Sequence, residues 1–310
     1  MNNTFRKTFL LLLFPAFVSV ANAQLPNEKF GKPSTLEWDY LGWRGAVDAD
    51  AIILCKTMKV SYQLSDQVFY NSQSSDFGLG DLSDFGKNEI DVSSILVKYK
   101  CQLRTKILKP EGVGHANIDI TLYNVDATKD IKANSDELTD LKIKVFTKNE
   151  KGKVEKRSVN TSSFVQERVD DNYVVLHVVV PDIQPSSIIE YQYDISSNRP
   201  AFLYDWAFKE SIPTVRSKCD IEIPAILLFN MNVPIHKHVK SSVGVGRLTY
   251  DTNRPDMKKG KSCSTNHYIM VADNILPEED EIANFTSQIV KPYVAPPAYM
   301  PKGCTHLKVK

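Results

Sequence analysis

The stretch Ile95-Leu96-Val97-Lys98-Tyr99-Lys100-Cys101-Gln102-Leu103-Arg104-Thr105-Lys106-Ile107 decides the fold. Its odd positions are Ile95, Val97, Tyr99, Cys101, Leu103, Thr105 and Ile107, mostly apolar. The even positions from Lys98 onward are Lys98, Lys100, Gln102, Arg104 and Lys106. Side chains of a strand point alternately to its two faces. Period two therefore predicts one long strand with a buried face and a wet face. The Lys109-Pro110-Glu111-Gly112 that follows reads as a turn.

The same alternation recurs outward in both directions. Before the stretch, Met58, Val60, Tyr62 and Leu64 form one face of a strand. After it come Ala116, Ile118, Ile120 and Leu122, then Leu141, Ile143 and Val145. Glu150-Lys151-Gly152-Lys153 reads as a hairpin turn. Tyr173 to Val180 is nearly all apolar, as a central strand covered on both faces would be. Ile189, Tyr191, Tyr193 and Ile195 alternate again, as do Cys219, Ile221 and Ile223 up to Pro224. One segment reads as a helix, with Pro277 at its first position, acidic Glu278 to Glu281 at its positive end, and Ile282, Phe285 and Ile289 on one face. Strands joined by short polar turns predict an all-β fold: a large antiparallel β-sandwich with long strands and few short helices.

The first residues predict export. Arg6 and Lys7 precede an apolar run from Phe9 to Val20, and Ala21-Asn22-Ala23 supplies the small residues a signal peptidase accepts. Cleavage is expected between Ala23 and Gln24. The apolar run is short for a membrane span, and no later segment is long and apolar enough for one. Losing Arg6 and Lys7 moves the net charge from +1 to −1, which gives no electrostatic case for binding nucleic acid. The expected organisation is a signal peptide over 1–23, a lead segment over 24–45, a β-sandwich over 46–290 and a Pro-rich tail or linker over 291–310.

Five cysteines, Cys55, Cys101, Cys219, Cys263 and Cys304, lie at wide spacings without a C-x-x-C. Export permits disulfides; a Cys263–Cys304 pair would tie down the tail, and unpaired thiols are the alternative. Cys304 has too little chain after it for a helix, a general base and an acid, and Cys101 and Cys219 sit on apolar strand faces. No catalytic residue is therefore assigned. His236 and His238 flank Lys237 without a nearby carboxylate, and His177 reads as a satisfied interior or interface histidine. Asp76, Asp81 and Asp84 lie in a Ser- and Gly-rich stretch over 71–91 whose spacing matches no calcium loop. No metal or cofactor is assigned. Val243-Gly244-Val245-Gly246 is too short to be read as a phosphate cradle. Trp38, Trp43, Tyr204 and Trp206 are the candidate ligand-stacking aromatics, with Trp206 favoured as core.

Several elements carry a resemblance. These are Ile107-Leu108-Lys109-Pro110-Glu111-Gly112, Val180-Pro181-Asp182-Ile183, Ser187-Ile188-Ile189-Glu190-Tyr191-Gln192-Tyr193, Asp205-Trp206-Ala207-Phe208-Lys209, Ile212-Pro213 and Ile221-Glu222-Ile223-Pro224. In order and spacing they resemble the β domain of unknown function that precedes transglutaminase-like cores in bacterial envelope proteins. Ser186 stands where that family usually has glycine, and Lys209 where it has glutamine. The resemblance implies an exported, non-enzymatic accessory or recognition module, periplasmic or at the outer surface, with a protein, peptide or glycan partner. The alternatives are a stand-alone carbohydrate- or peptide-binding module, or half of a cysteine-dependent enzyme whose core would follow Lys310.

Overall fold

The computed structural model describes residues 26–40, 46, 48–64, 95–125, 135–161, 164–200, 202–225, 227, 229–250, 261–277, 284–289, 292–294 and 307–309. The signal-peptide site at Ala23 and Gln24, Trp43, the 71–91 stretch and Cys304 lie outside them. No helix among the described residues is long and apolar enough to cross a membrane.

The decisive stretch is a strand along nearly its whole length, β2 (Leu96–Ile107). On one side it pairs with β1 (Ala51–Gln63), on the other with β8 (Ile188–Ser197). Beyond β8 come β4 (Glu137–Lys148) and β5 (Val154–Val159). Beyond β1 come β9 (Thr214–Pro224), β12 (Lys261–Ile275) and β11 (Val239–Tyr250). Together they form one eight-stranded sheet. Its pairings are antiparallel except that β1 runs parallel to β9, so the sheet is mixed where a purely antiparallel one was expected. Strand alternation is the same for either direction, which is why periodicity does not distinguish them.

A second sheet holds β3 (Ile118–Tyr123), β7 (Tyr173–Val178) and β6 (Val165–Arg168), in that order. Ile118, Ile120 and Leu122 of β3 and Val174, Leu176 and Val178 of β7 are buried in one apolar cluster. It also contains Met58, Val60, Val97, Ile143, Ile221 and Met270 of the large sheet. The mostly β, two-layer character is thus as the alternations predict. The strand β7, however, is covered on one face only, because Val175 and His177 on its other face are half-buried. Apolar composition alone made it look doubly covered.

The helix expected near 277–289 is corrected over residues 284–289. Phe285 exchanges backbone hydrogen bonds with Trp206 at 2.9 and 3.0 Å, and β13 (Thr286–Ile289) pairs antiparallel with β10 (Phe229–Asn232). A helical face of three apolar residues is a weak signal, and tertiary pairing overrides it. In the tail, β14 (Pro292–Val294) pairs with β15 (Leu307–Val309).

The wet face expected for β2 is also corrected at three positions. Gln102, Arg104 and Lys106 are buried beneath the lead segment. That segment contains one short helix, α1 (Thr35–Asp39), capped by Ser34, whose hydroxyl accepts from Glu37 N while the Glu37 carboxylate accepts from Ser34 N. Trp38 from α1 packs with Ile52, Leu54, Phe146, Ile188 and Val215 on this outer face. Lys100, beyond the segment, stays exposed.

Candidate functional site

Three structural anchors shape a cleft of about 640 Å³ at one end of the interlayer space. Its floor is the inner face of the large sheet, with Ile53, Leu103, Thr105 and Tyr191. One wall is the 3-10 helix Pro110–Ala116 and the start of β3, with His115, Asn117 and Asp119. His177, Val178 and Val179 extend this wall from β7, and Glu210, Ser211 and Ile212 form the other.

The first anchor is the Lys109-to-Gly112 turn. The Asp50 carbonyl accepts from Leu108 N at 2.8 Å and Lys109 N at 3.0 Å. Gly112 lies so close to that carbonyl that a Cβ would come within 2.2 Å of it, so only glycine fits. The second is the segment after Trp206. Lys56 donates to Ala207 O at 3.0 Å and to the Glu210 carboxylate, with its ammonium 4.4 Å from the Trp206 ring centroid. Pro213 O accepts from Ile53 N at 2.9 Å, fixing Ile212 beside the floor. The third is the turn before β8. Ser186 N donates to Ile107 O at 2.8 Å, and Ser186 has φ 69°, the left-handed region that favours the glycine expected there.

His177 sits between two carboxylates. Its Nδ1 is 2.8 Å from Asp119 Oδ1 and its Nε2 3.1 Å from Glu167 Oε2. Carboxylates only accept, so donation at both ring nitrogens requires the imidazolium. The Asp119 hydrogen bond is the main influence raising its pKa above the ordinary 6.5; desolvation opposes it, and the hydrogen bond to Glu167 adds a smaller rise. The histidine is satisfied, as expected, but half-exposed rather than interior. Nothing in sequence spacing joins residues 119, 167 and 177. Strand register does, by setting His177 opposite both Asp119 and Val165.

The candidate stacking aromatics are placed differently from one another. Trp38 and Trp206 are buried, and Trp206 Nε1 donates to Ser217 Oγ at 3.1 Å. Tyr204 is half-buried and donates to Asp136, which also accepts from Arg199 at 3.2 Å. The Tyr204 hydroxyl in turn accepts from Tyr123 N at 2.8 Å. These three are parts of the packing and present no open platform.

Burial pushes the Cys55 and Cys101 thiols up to about 12, and the Cys219 thiol higher still, so at neutral pH they are protonated and poor nucleophiles. Cys263 is buried. The His236 and His238 rings stack at 5.3 Å, with His236 Nδ1 accepting from His238 N at 3.3 Å. Among the described residues, no group of three or more His, Cys, Asp or Glu is arranged to hold a metal ion.

A family model described as a domain of unknown function with a solved structure, DUF3857, matches residues 96–259, just over half of the chain. No curated protein matches. Among solved structures, a protein of Parabacteroides distasonis, described provisionally as a protease, is similar at 10% identity with a TM-score of 0.44. The likeness covers 78% of this chain and 41% of that one, so the chain spans about two fifths of that protein's length.

Proposed function

The chain belongs to the DUF3857 family of domains, and from that premise we propose that it is an exported, non-enzymatic recognition module that holds a peptide segment in the interlayer cleft. The single observation that carries this reading is the composition of the cleft. A floor of Ile53 and Leu103 with Thr105 and Tyr191 lies between walls that carry Asp119, His115, His177 and Glu210 beside the apolar Val178, Val179 and Ile212. Such a floor suits side chains and such walls suit amides and charges. A peptide is favoured over a glycan because the buried Trp38 and Trp206 offer no exposed ring for a sugar to stack upon. The protonated state of the buried thiols supports a non-catalytic role. Export is supported by the Ala21-Asn22-Ala23 pattern. Attachment to a transglutaminase- or protease-like partner is the finer form of the same proposal and rests on the motif resemblance.

The test is an NMR titration of the isotope-labelled chain against a peptide library and a matched set of glycans. Peptide-induced shifts at Ile53, His115, Asp119 and His177 are expected. Shifts confined to glycan samples, or none in the cleft, would overturn the reading. Release of peptide fragments by the purified chain would overturn its non-enzymatic part, and retention of a tagged chain in the cytoplasm would overturn export.

A further inference from the structure

The large sheet ends in two edges that are protected differently. Edge strands expose unpaired backbone groups, and proteins usually blunt them with charges, prolines, bulges or shortness. At one edge, β5 is 6 residues long and carries Glu155, Lys156 and Arg157 in succession. At the other, β11 runs for 12 residues and pairs with β12 without a register shift. Between Lys240 and Arg247 it has neither charge nor proline. Val243 and Val245 are 68% and 82% exposed. Among the described residues, no strand pairs with the other side of β11.

Gly244 adds an independent clue. A glycine inside a strand weakens it and often marks the close approach of another backbone. Neighbouring Gly246 has a reason within the chain, since a Cβ there would come within 2.6 Å of Thr265 and 2.8 Å of Glu222. A Cβ at Gly244 would meet nothing within 4 Å.

We propose that β11 pairs antiparallel with β11 of a second copy of this chain, about a two-fold axis near Gly244. Charge favours this direction. The arrangement sets Val243 opposite Val245, Ser241 opposite Arg247 and Lys240 opposite Leu248, so no like charges meet. In-register parallel pairing would instead set Lys240 against Lys240 and Arg247 against Arg247. Pairing with β5 of another copy would make an open filament instead of a closed pair. The two-fold axis brings the copies' backbones together where Gly244 leaves room.

Sedimentation of the full chain over a concentration series tests this. The mass is expected to rise to twice that of the monomer and stop. Val245→Lys should abolish the dimer without changing the circular dichroism spectrum or the melting of the monomer, because the side chain is exposed. Gly244→Leu fits the single chain and should weaken the dimer likewise. A constant monomer mass, growth past the dimer, or a dimer indifferent to both variants would overturn the proposal. Peptide shifts in the cleft of Val245→Lys report on the recognition reading separately, so the two ideas fail independently.

Discussion

The two faces of the large sheet are both buried at its centre, but by opposite means. The inner face meets β3 and β7 with aliphatic side chains such as Val60, Val97, Ile143 and Ile221. The outer face buries Arg104 and Glu190, both 0% exposed, under the lead segment. Arg104 donates to Asn27 O at 2.7 Å, to Lys29 O at 2.8 Å and to Glu190 at 2.6 Å, and also pairs with Glu37. Gln102 donates to Glu28 O at 3.0 Å, and Lys106 to Tyr40 O at 2.9 Å and Trp38 O. Glu28 accepts from Arg216 and Lys218 on β9. The inner face is held by loss of apolar surface from water, which has no preferred direction. The outer face is held by hydrogen bonds that fit one path of one segment. Charged pairing is costly to desolvate, so its contribution lies more in specifying that path than in net stability.

Arg104→Met tests the difference most severely. It strands the Glu37 and Glu190 carboxylates and should cost about 3–5 kcal/mol in denaturant unfolding. Replacing Arg104, Glu37 and Glu190 together by apolar residues should recover part of that loss. If the triple variant is worse than the single, the outer face is not a charge-compensation problem. On the inner face, Ile221→Ala should cost about 2–5 kcal/mol, with no such rescue by a second substitution.

Lys106 gives a pH signature to the outer face. Burial, its main influence, lowers its pKa from 10.5 to about 8. Below pH 8 the folded protein holds a buried charge and bears the full penalty. Between 8 and 10.5 the unfolded chain binds the extra proton, so stability rises with pH across that window. Wild-type stability should therefore gain on Lys106→Met between those pH values. A difference that is flat with pH would show that Lys106 stays charged when buried.

His177 is the half-exposed counterpart and should show the smallest effect. Its pKa is raised, so its contribution is complete below the unfolded value near 6.5 and disappears as pH rises through the folded one. Its NMR titration midpoint should lie above 6.5, and Asp119→Asn should bring it down. An unshifted midpoint would remove the doubly paired imidazolium.

Much of the inner face was legible. The odd positions of the 95–107 stretch, apart from half-buried Leu103, are buried, as are Met58, Val60 and Tyr62. The cleft was legible only in fragments. Gly112 and the segment around Trp206 stand out as motifs, yet nothing in the sequence says that they face each other. The three aspartates of the 71–91 stretch and Cys304 lie outside the described residues.

By itself, the sequence determined the period-two strands, their turns and the family, because alternation and turn chemistry are local properties of the chain. Only the tertiary structure decided that β1 runs parallel to β9, that His177 bridges two carboxylates, and that the face bearing Gln102, Arg104 and Lys106 is dry. An alternating strand looks the same whether its polar face meets water or a charged segment with matching carbonyls. Which of the two it meets depends on contacts between residues up to 190 positions apart.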